Sequence, residues 1–493
     1  MALVIDDVLE CAANVAPRRV AATLLDDAIT FAALRERSHR LANALTGLRI
    51  GRRARVAYWA DIHLDALPLA FALGRVGAAF APMNPAYGDE EARGVLEYLA
   101  PHLLVTDGGH AERAEVLAKE LDIPLATLGA RGPGAALDEL AGEASPSSPS
   151  VPQPHEEDIF TIFLTSGSTG KPKGAMISHR ATWLRVFAGT RPEVTSGKGD
   201  VVMFPLFHMA GWFFASMAWS AHAPAHFVPR ADPDLLMDAI QRHGAGTLYC
   251  IPAVWQRILD DRRPHDASSL EWALIGTSRV ELELLQALKD RFPWTRSTVA
   301  YGSTEAGRAI WLPDADLFRK PGSVGIPVPG MRAALADDGE LLLSSNTLMT
   351  GYYDLPEETA AVLRDGWYHS GDVAERDDDG YWSITGRTKE MIRSGGEWVA
   401  PVEVEAVLAD YPGLAEVAVV GVPDPRWGEV VCAAVVMADG APPPTVDALR
   451  GHIGSRLAPF KHPRQVLVVD ALPRTPATGQ IQRSRLARQA VGS

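Results

Sequence analysis

The sequence predicts an α/β protein: a large N-terminal region of layered α/β subdomains, a β-rich subdomain after it, and a small α+β domain at the C-terminal end. Three features predict this. Short apolar runs alternate with helix-like spacing along most of the chain, the pattern of a layered architecture with largely parallel sheets. Near residues 333–388 the texture changes to short strands parted by acidic glycine turns. With 493 residues the chain is too long for one core, and length alone suggests about three domain-sized units.

Taken in order, residues 54–60, 103–106 and 245–250 are short and apolar and predict strands, whereas 64–73 and 234–242 place apolar residues at helical spacing. The run 159–164 predicts a buried strand. The proline- and serine-rich stretch 145–154 has the composition of a domain boundary or of a surface loop. Asp337-Asp338-Gly339-Glu340 and Asp377-Asp378-Asp379-Gly380 predict hairpin turns. Beyond them, 402–408 reads as helix, 417–422 and 430–437 as strands, and the Ala/Pro tract 441–444 as an exposed loop. No internal repeat is present.

A formal charge of −14 opposes nonspecific binding to nucleic acid or to anionic membrane. Cys11, Cys250 and Cys432 are scattered and odd in number, so neither a disulfide framework nor a zinc cluster is implied and a reducing cytoplasm is the expected setting. Asp6, Asp7 and Glu10 stand where a signal peptide would carry positive charge, and the apolar stretch 211–228 is interrupted by His222, Pro224 and His226. No export or membrane-spanning segment is therefore expected.

The run Thr165-Ser166-Gly167-Ser168-Thr169-Gly170-Lys171-Pro172-Lys173-Gly174 follows the apolar strand directly. Nearly every atom it offers is a backbone or hydroxyl donor, and its glycines let N–H groups approach an anion, so it suits phosphate. A Walker A loop needs four residues between its glycines and a Ser or Thr after the lysine. Here two residues separate Gly167 from Gly170 and Pro172 follows Lys171, so this is a different nucleotide loop.

With Tyr301-Gly302-Ser303-Thr304-Glu305, Tyr368-His369-Ser370-Gly371-Asp372, Gly386-Arg387-Thr388-Lys389-Glu390 and Leu472-Pro473-Arg474-Thr475, this loop resembles the adenylate-forming enzymes. That family includes acyl-CoA synthetases, firefly luciferase and peptide-synthetase adenylation domains, and Pro423 to Glu429 is most similar to the acyl-CoA synthetases. The resemblance runs across 145–154, which is read accordingly as a surface loop. It implies ATP-dependent activation of a carboxylic acid, then thioester formation with CoA, with a carrier-protein thiol or another nucleophile as the alternative acceptor. The implied cofactors are ATP, Mg²⁺ and CoA, and a monomer or homodimer is expected. It also implies domains at 1–388 and 389–493, the second a mobile lid turning about Lys389.

Carboxylate attack on the α-phosphate brings two anions together, so the site needs cations and oriented donors. By resemblance, Thr165, Ser166, Gly167, Ser168, Thr169, Gly170 and Lys173 grip the departing pyrophosphate, with Thr165 counted among the catalytic residues. Gly276, Thr277, Ser278, Tyr301, Gly302 and Thr304 face the nucleotide, Asp372 and Arg387 its ribose or phosphate, and Glu305 supplies the hard oxygen that Mg²⁺ prefers. His208, Gly211 and Trp212 line the acyl pocket, where His208 is either the residue beside the carboxylate or a core histidine, and Trp212 either pocket wall or core. Ile275 to Arg279 lies where relatives usually have a glycine-rich Gly-Ala-Pro turn, so Arg279 is unusual and either faces solvent or pairs with a polar or acidic substrate tail. Gly395, Gly396 and Glu397 would line the thiol tunnel.

One position departs from the family. Gln480 stands where a catalytic lysine normally contacts the carboxylate and the α-phosphate. Gln donates hydrogen bonds but has no charge to neutralise converging anions, so adenylation is expected to be impaired and the chain reads alternatively as an acyl-AMP binder. Three explanations stand: a deliberate substitution that traps a ligand state, a natural change that specialises or silences the first half-reaction, or replacement by another lysine such as Lys461.

Overall fold

The computed structural model describes residues 2–129, 132–166, 172–189, 197–387, 390–394, 397–424, 427–454, 456–475 and 479–491. They pack as two compact units: Met1–Pro321 with Pro327–Arg332 and Ser344–Tyr368, and Gly322–Ile326 with Ala333–Leu343 and His369–Ser493. This places His369 to Arg387 in the second unit. A packing boundary and a pivot are different properties, and the hinge expected at Lys389 lies outside the described residues.

The first unit contains two mostly parallel sheets. In one, Pro172–Ser178, Ile159–Ser166, Ala79–Pro82, Arg55–Trp59, Leu103–Thr106 and Leu125–Thr127 lie side by side. In the other the order is Gly307–Leu312, Arg296–Ser303, Trp272–Gly276, Thr247–Cys250, Asp200–Val202, Ala225–Phe227 and Val20–Leu24. The central strands are buried along nearly all their length, as expected where helices cover both faces of a parallel sheet. The expected strands and helices at 54–60, 64–73, 103–106, 159–164, 234–242 and 245–250 appear as Arg55–Trp59, Ala66–Val76, Leu103–Thr106, Ile159–Ser166, Pro233–His243 and Thr247–Cys250.

Helix Ala66–Val76 carries no charge before Arg75 and is buried on nearly every side. Its Phe71 ring lies 5.4 Å from Trp212 and 5.5 Å from Trp219. Gly74 passes so close to the strand Ile159–Ser166 that a Cβ would come within 3.1 Å of the Phe160 ring. Helix Pro233–His243 starts with an Asp232 cap to the Asp234 N–H and Pro233 in its first turn, and ends at Gly244 with φ of 60°.

In the second unit both acidic glycine sequences form turns, with Gly339 at φ 83° and Gly380 at φ 86°. The latter joins Trp367–Arg376 to Trp382–Arg387 as an antiparallel pair. The strands Leu414–Asp424 and Gly428–Met437 pair over their whole length. Their alternation puts Val419, Val431, Ala433 and Val435 against helices Pro401–Leu408 and Val446–Ile453. Ala418, Val420, Cys432 and Ala434 face Leu486 and Ala490 of helix Arg483–Val491. A sheet covered on both faces explains why both strands are apolar runs without polar alternation.

Among the described residues, no helix is long and apolar enough to cross a membrane.

His179, fully buried against Phe160, makes no hydrogen bond through either ring nitrogen among the described residues. Burial pushes its pKa down from 6.5 to about 4, with Asp158 opposing weakly. The native state therefore binds fewer protons than the unfolded chain below pH 6.5, and stability falls as pH drops from 6.5 towards 4. His179→Leu should remove about 2 kcal/mol of the loss between pH 7.5 and pH 5. Urea midpoints at the two pH values check this, and an equal drop in both proteins would contradict a neutral buried imidazole.

Candidate active site

Parallel sheets present ligand sites beyond the carboxyl ends of their strands. In the first unit Asp200–Val202 runs on towards His208, Trp272–Gly276 into Thr277, and Arg296–Ser303 into Thr304 and Glu305. Register places neighbouring ends together, Cys250 opposite Ile275 and Gly276 opposite Ala300.

Aromatic rings line this edge. Phe204 stacks on His208 at 5.0 Å and lies 5.3 Å from Tyr249, which stacks on Phe214 at 4.5 Å. Gly276 is required beside them, because a Cβ would fall 2.4 Å from the Tyr249 hydroxyl and 2.4 Å from the Ala300 carbonyl oxygen. Thr277 has φ of 72°, a left-handed backbone that a β-branched residue rarely adopts and that costs about 1–3 kcal/mol. Such strain clusters at functional turns.

His208 caps helix Met209–Ser220, its Nδ1 accepting from the Ala210 N–H at 3.2 Å. Burial pushes its pKa down to about 4, so at neutral pH the ring is uncharged and its remaining proton is on Nε2. The ring is thus a neutral donor. Trp212 is buried in the core. It packs against Phe71, Phe160 and Trp219, and it lines a small apolar cavity with Phe163, Met209, Phe213 and Arg185. Gly211 packs tightly on the preceding turn, since a Cβ would meet the Pro205 and Phe204 carbonyl oxygens at 2.4 and 2.5 Å. Ser278 and Arg279 are exposed, and Arg279 pairs with Glu281 at 3.0 Å on the surface. Of its two expected positions, the solvent-facing one is observed.

The turn after Tyr301 is tightly built. Gly302 lets the two strands close, for a Cβ would lie 2.1 Å from the Gly307 carbonyl oxygen. The Tyr352 hydroxyl donates to Glu305 Oε1 at 2.9 Å. Glu305 Oε2 accepts no hydrogen bond among the described residues, and a half-buried carboxylate with one free oxygen fits a magnesium ion. Lys173 lies over the Tyr352 ring, 5.2 Å from its centre. Thr165 pairs with Lys173 across the strands that flank the loop and donates to its carbonyl at 3.3 Å. Ser166 is described by its backbone alone, and Gly167, Ser168, Thr169 and Gly170 lie outside the described residues.

The second unit holds the remaining expected residues. Asp372 and Arg387 are cross-strand partners, with Arg387 Nε 2.9 Å from Asp372 Oδ1. Glu340 fixes the preceding turn by accepting from the Gly371 N–H at 2.8 Å while contacting His369 Nδ1 at 2.7 Å. Gln480 closes a tight loop by donating its N–H to Thr475 Oγ1 at 3.1 Å and accepting from the Thr475 N–H at 2.8 Å. Lys461 is ion-paired to Glu403, so its ammonium is already engaged. Gly395 and Gly396 lie outside the described residues, and Glu397 is described by its backbone alone.

Arg185, Tyr249 and Tyr352 beside the expected residues of the first unit, and Glu340 beside those of the second, were not singled out from sequence. Glu340 alone left a signal, as the last residue of a predicted turn.

Residues 9–353 match the family of AMP-binding enzymes, and residues 403–478 match the AMP-binding enzyme C-terminal domain. This chain belongs to that family. Among its relatives, a feruloyl-CoA synthase of Amycolatopsis is 35% identical, with 97% of each chain covered. An indoleacetate–CoA ligase of Aromatoleum aromaticum is 34% identical, covering 96% of this chain and 95% of the relative. The structure of ATP-bound MatB from Rhodopseudomonas palustris superposes with a TM-score of 0.90 over 99% of each chain, at 28% identity.

The close contact at Gly211 makes a prediction within this family site. Gly211→Ala must push the helix start away from the segment that carries His208, which should cost about 1–3 kcal/mol. A lowered urea midpoint is the expected result. An unchanged midpoint would show that the helix start yields freely.

Proposed function

We propose that this member of the family activates a carboxylic acid with an aromatic or fused-ring body. The reaction is the family's: the acid attacks the α-phosphate of ATP, pyrophosphate leaves, and the acyl group passes from AMP to the thiol of CoA. The ring wall of Phe204, His208, Tyr249 and Phe214 is the observation that favours a flat, apolar acid, because stacked or edge-on rings add to simple burial. Ferulate and indoleacetate, after which two relatives are named, are acids of that kind.

Each residue's part follows from its chemistry. Neutral His208 orients the acid by donating from Nε2 without attracting a second anion. Lys173 and the Thr165 hydroxyl face the leaving pyrophosphate, and Asp372, held by Arg387, takes the ribose hydroxyls. Bound magnesium would neutralise phosphate charge, and Glu305 would hold it through Oε2. Gln480 supplies hydrogen bonds where a charge is needed.

Two experiments test this reading. Mass spectrometry of CoA products from ring-bearing and linear acids should favour the ring-bearing set, and a preference for linear chains would overturn the proposed substrate class. Offering a phosphopantetheinyl carrier protein beside free CoA separates the two acceptors.

Gln480→Lys should raise acid-dependent pyrophosphate exchange by roughly 10²–10³, the usual value of one preorganised charge-stabilising donor. Thioester formation from supplied acyl-AMP and CoA should change little, because the lysine position acts in adenylation alone. No gain in exchange would refute the assignment of position 480. Equal gains in both half-reactions would point to a general effect on binding or folding.

A further inference from the structure

Helix His179–Gly189 buries the face formed by Ala181, Thr182, Arg185 and Val186, the i, i+3, i+4 stripe that normally holds apolar residues. Arg185 interrupts it. The side chain is 6% exposed, the one lysine or arginine in the buried class among the described residues. Its guanidinium has no carboxylate within ion-pair distance there, although burying a charge is costly without compensation. Burial pulls its pKa down to about 10, with Glu305 opposing, so it remains protonated at neutral pH.

Three backbone carbonyls receive it instead. Nε donates to Thr347 at 2.8 Å, Nη1 to Thr304 at 3.0 Å and Nη2 to Glu305 at 2.9 Å. The Glu305 carbonyl also accepts from the Met349 N–H at 2.7 Å. One planar group thus fixes the two peptide planes that aim the Glu305 side chain and ties them to the segment leading to Tyr352, whose hydroxyl holds Oε1. The turn is shaped for this fork: Gly307 has φ of 71°, and a Cβ there would come within 2.9 Å of Arg185 Nε.

We propose that Arg185 is the positioning residue for the Glu305 carboxylate, holding Oε2 where a divalent cation that arrives with ATP meets it. The inference rests on the reading of Glu305 as the magnesium ligand. A lysine at 185 keeps the charge but cannot reach three carbonyls in one plane. Loss of a group that orients a metal ligand typically weakens metal affinity about 10–100-fold.

The test is calorimetric titration of ATP into the full chain over a range of Mg²⁺ concentrations, with neither acid nor CoA present, for the parent, Arg185→Lys and Glu305→Gln. Arg185→Lys should raise the half-saturating Mg²⁺ about 10–100-fold, leave ATP binding without metal unchanged, and respond as Glu305→Gln does. If Glu305→Gln shifts the Mg²⁺ midpoint and Arg185→Lys does not, the Arg185 proposal is overturned while the metal ligand stands. If Glu305→Gln shifts nothing, the ligand reading fails first and the proposal with it. Should Arg185→Lys not fold, Gly307→Ala, which displaces the guanidinium without removing its charge, should move the midpoint in the same direction, and an unmoved midpoint overturns the proposal.

Discussion

The ring cluster of Phe71, Phe160, Trp212 and Trp219 is the contact on which the site of the first unit depends. It joins helix Ala66–Val76, the strand leading to Thr165 and the helix capped by His208, with neighbouring centroids 5.3–5.7 Å apart. The strand that carries Thr165 and the helix capped by His208 belong to different layers of the unit and different stretches of sequence. Their spacing is therefore set by how these rings pack, and packed interiors resist small displacements. Gly74 is part of the same constraint, since its lack of a side chain lets the helix settle onto Phe160.

Electrostatics around the site follow from what that packing excludes. His208 and His179 are held neutral by burial, whereas Arg185 keeps its charge by meeting carbonyl dipoles. A reaction between two anions benefits from this arrangement. His208 offers a neutral donor, and fixed positive charge lies behind the turn that carries Glu305. Fixed groups of this kind need not reorganise as charge builds up.

Much of the fold was legible because its signals are local. Apolar runs became strands, Asp-Asp-Gly sequences became turns, and the strand read at 159–164 runs on into the 165–174 segment, whose Thr165 and Ser166 pair with Lys173 and Pro172. The misses have another origin. Arg185 sits in a helix whose sequence, His-Arg-Ala-Thr-Trp-Leu-Arg-Val, has no clear apolar stripe, so only tertiary packing decides that this arginine points inward and Arg180 does not. Gly211 was placed in the acyl-pocket segment by resemblance alone, and its packing on two carbonyls of the preceding turn left no signal in the sequence. Arg279 was readable only as two alternatives, and its pairing with Glu281 at the surface selects the solvent-facing one. For both arginines the residue type was readable and its direction was not.

The backbone of Gln480, more than its side chain, accounts for the closure of its loop seen among the described residues. Its closure uses the backbone N–H and carbonyl of residue 480, both engaged by Thr475, together with Arg474 donating to the Gly479 carbonyl at 3.0 Å. These bonds are indifferent to the side chain at 480. The following helix is anchored independently, by Arg483 donating to the Val419 carbonyl at 2.9 Å and pairing with Glu390 and Glu405. Lysine and glutamine also have similar helix and loop propensities, so neither is demanded by local structure. The backbone bonds that close the loop can therefore be kept with either residue at 480. Under the proposed function, a change of charge there would act on the first half-reaction while this closure stays in place.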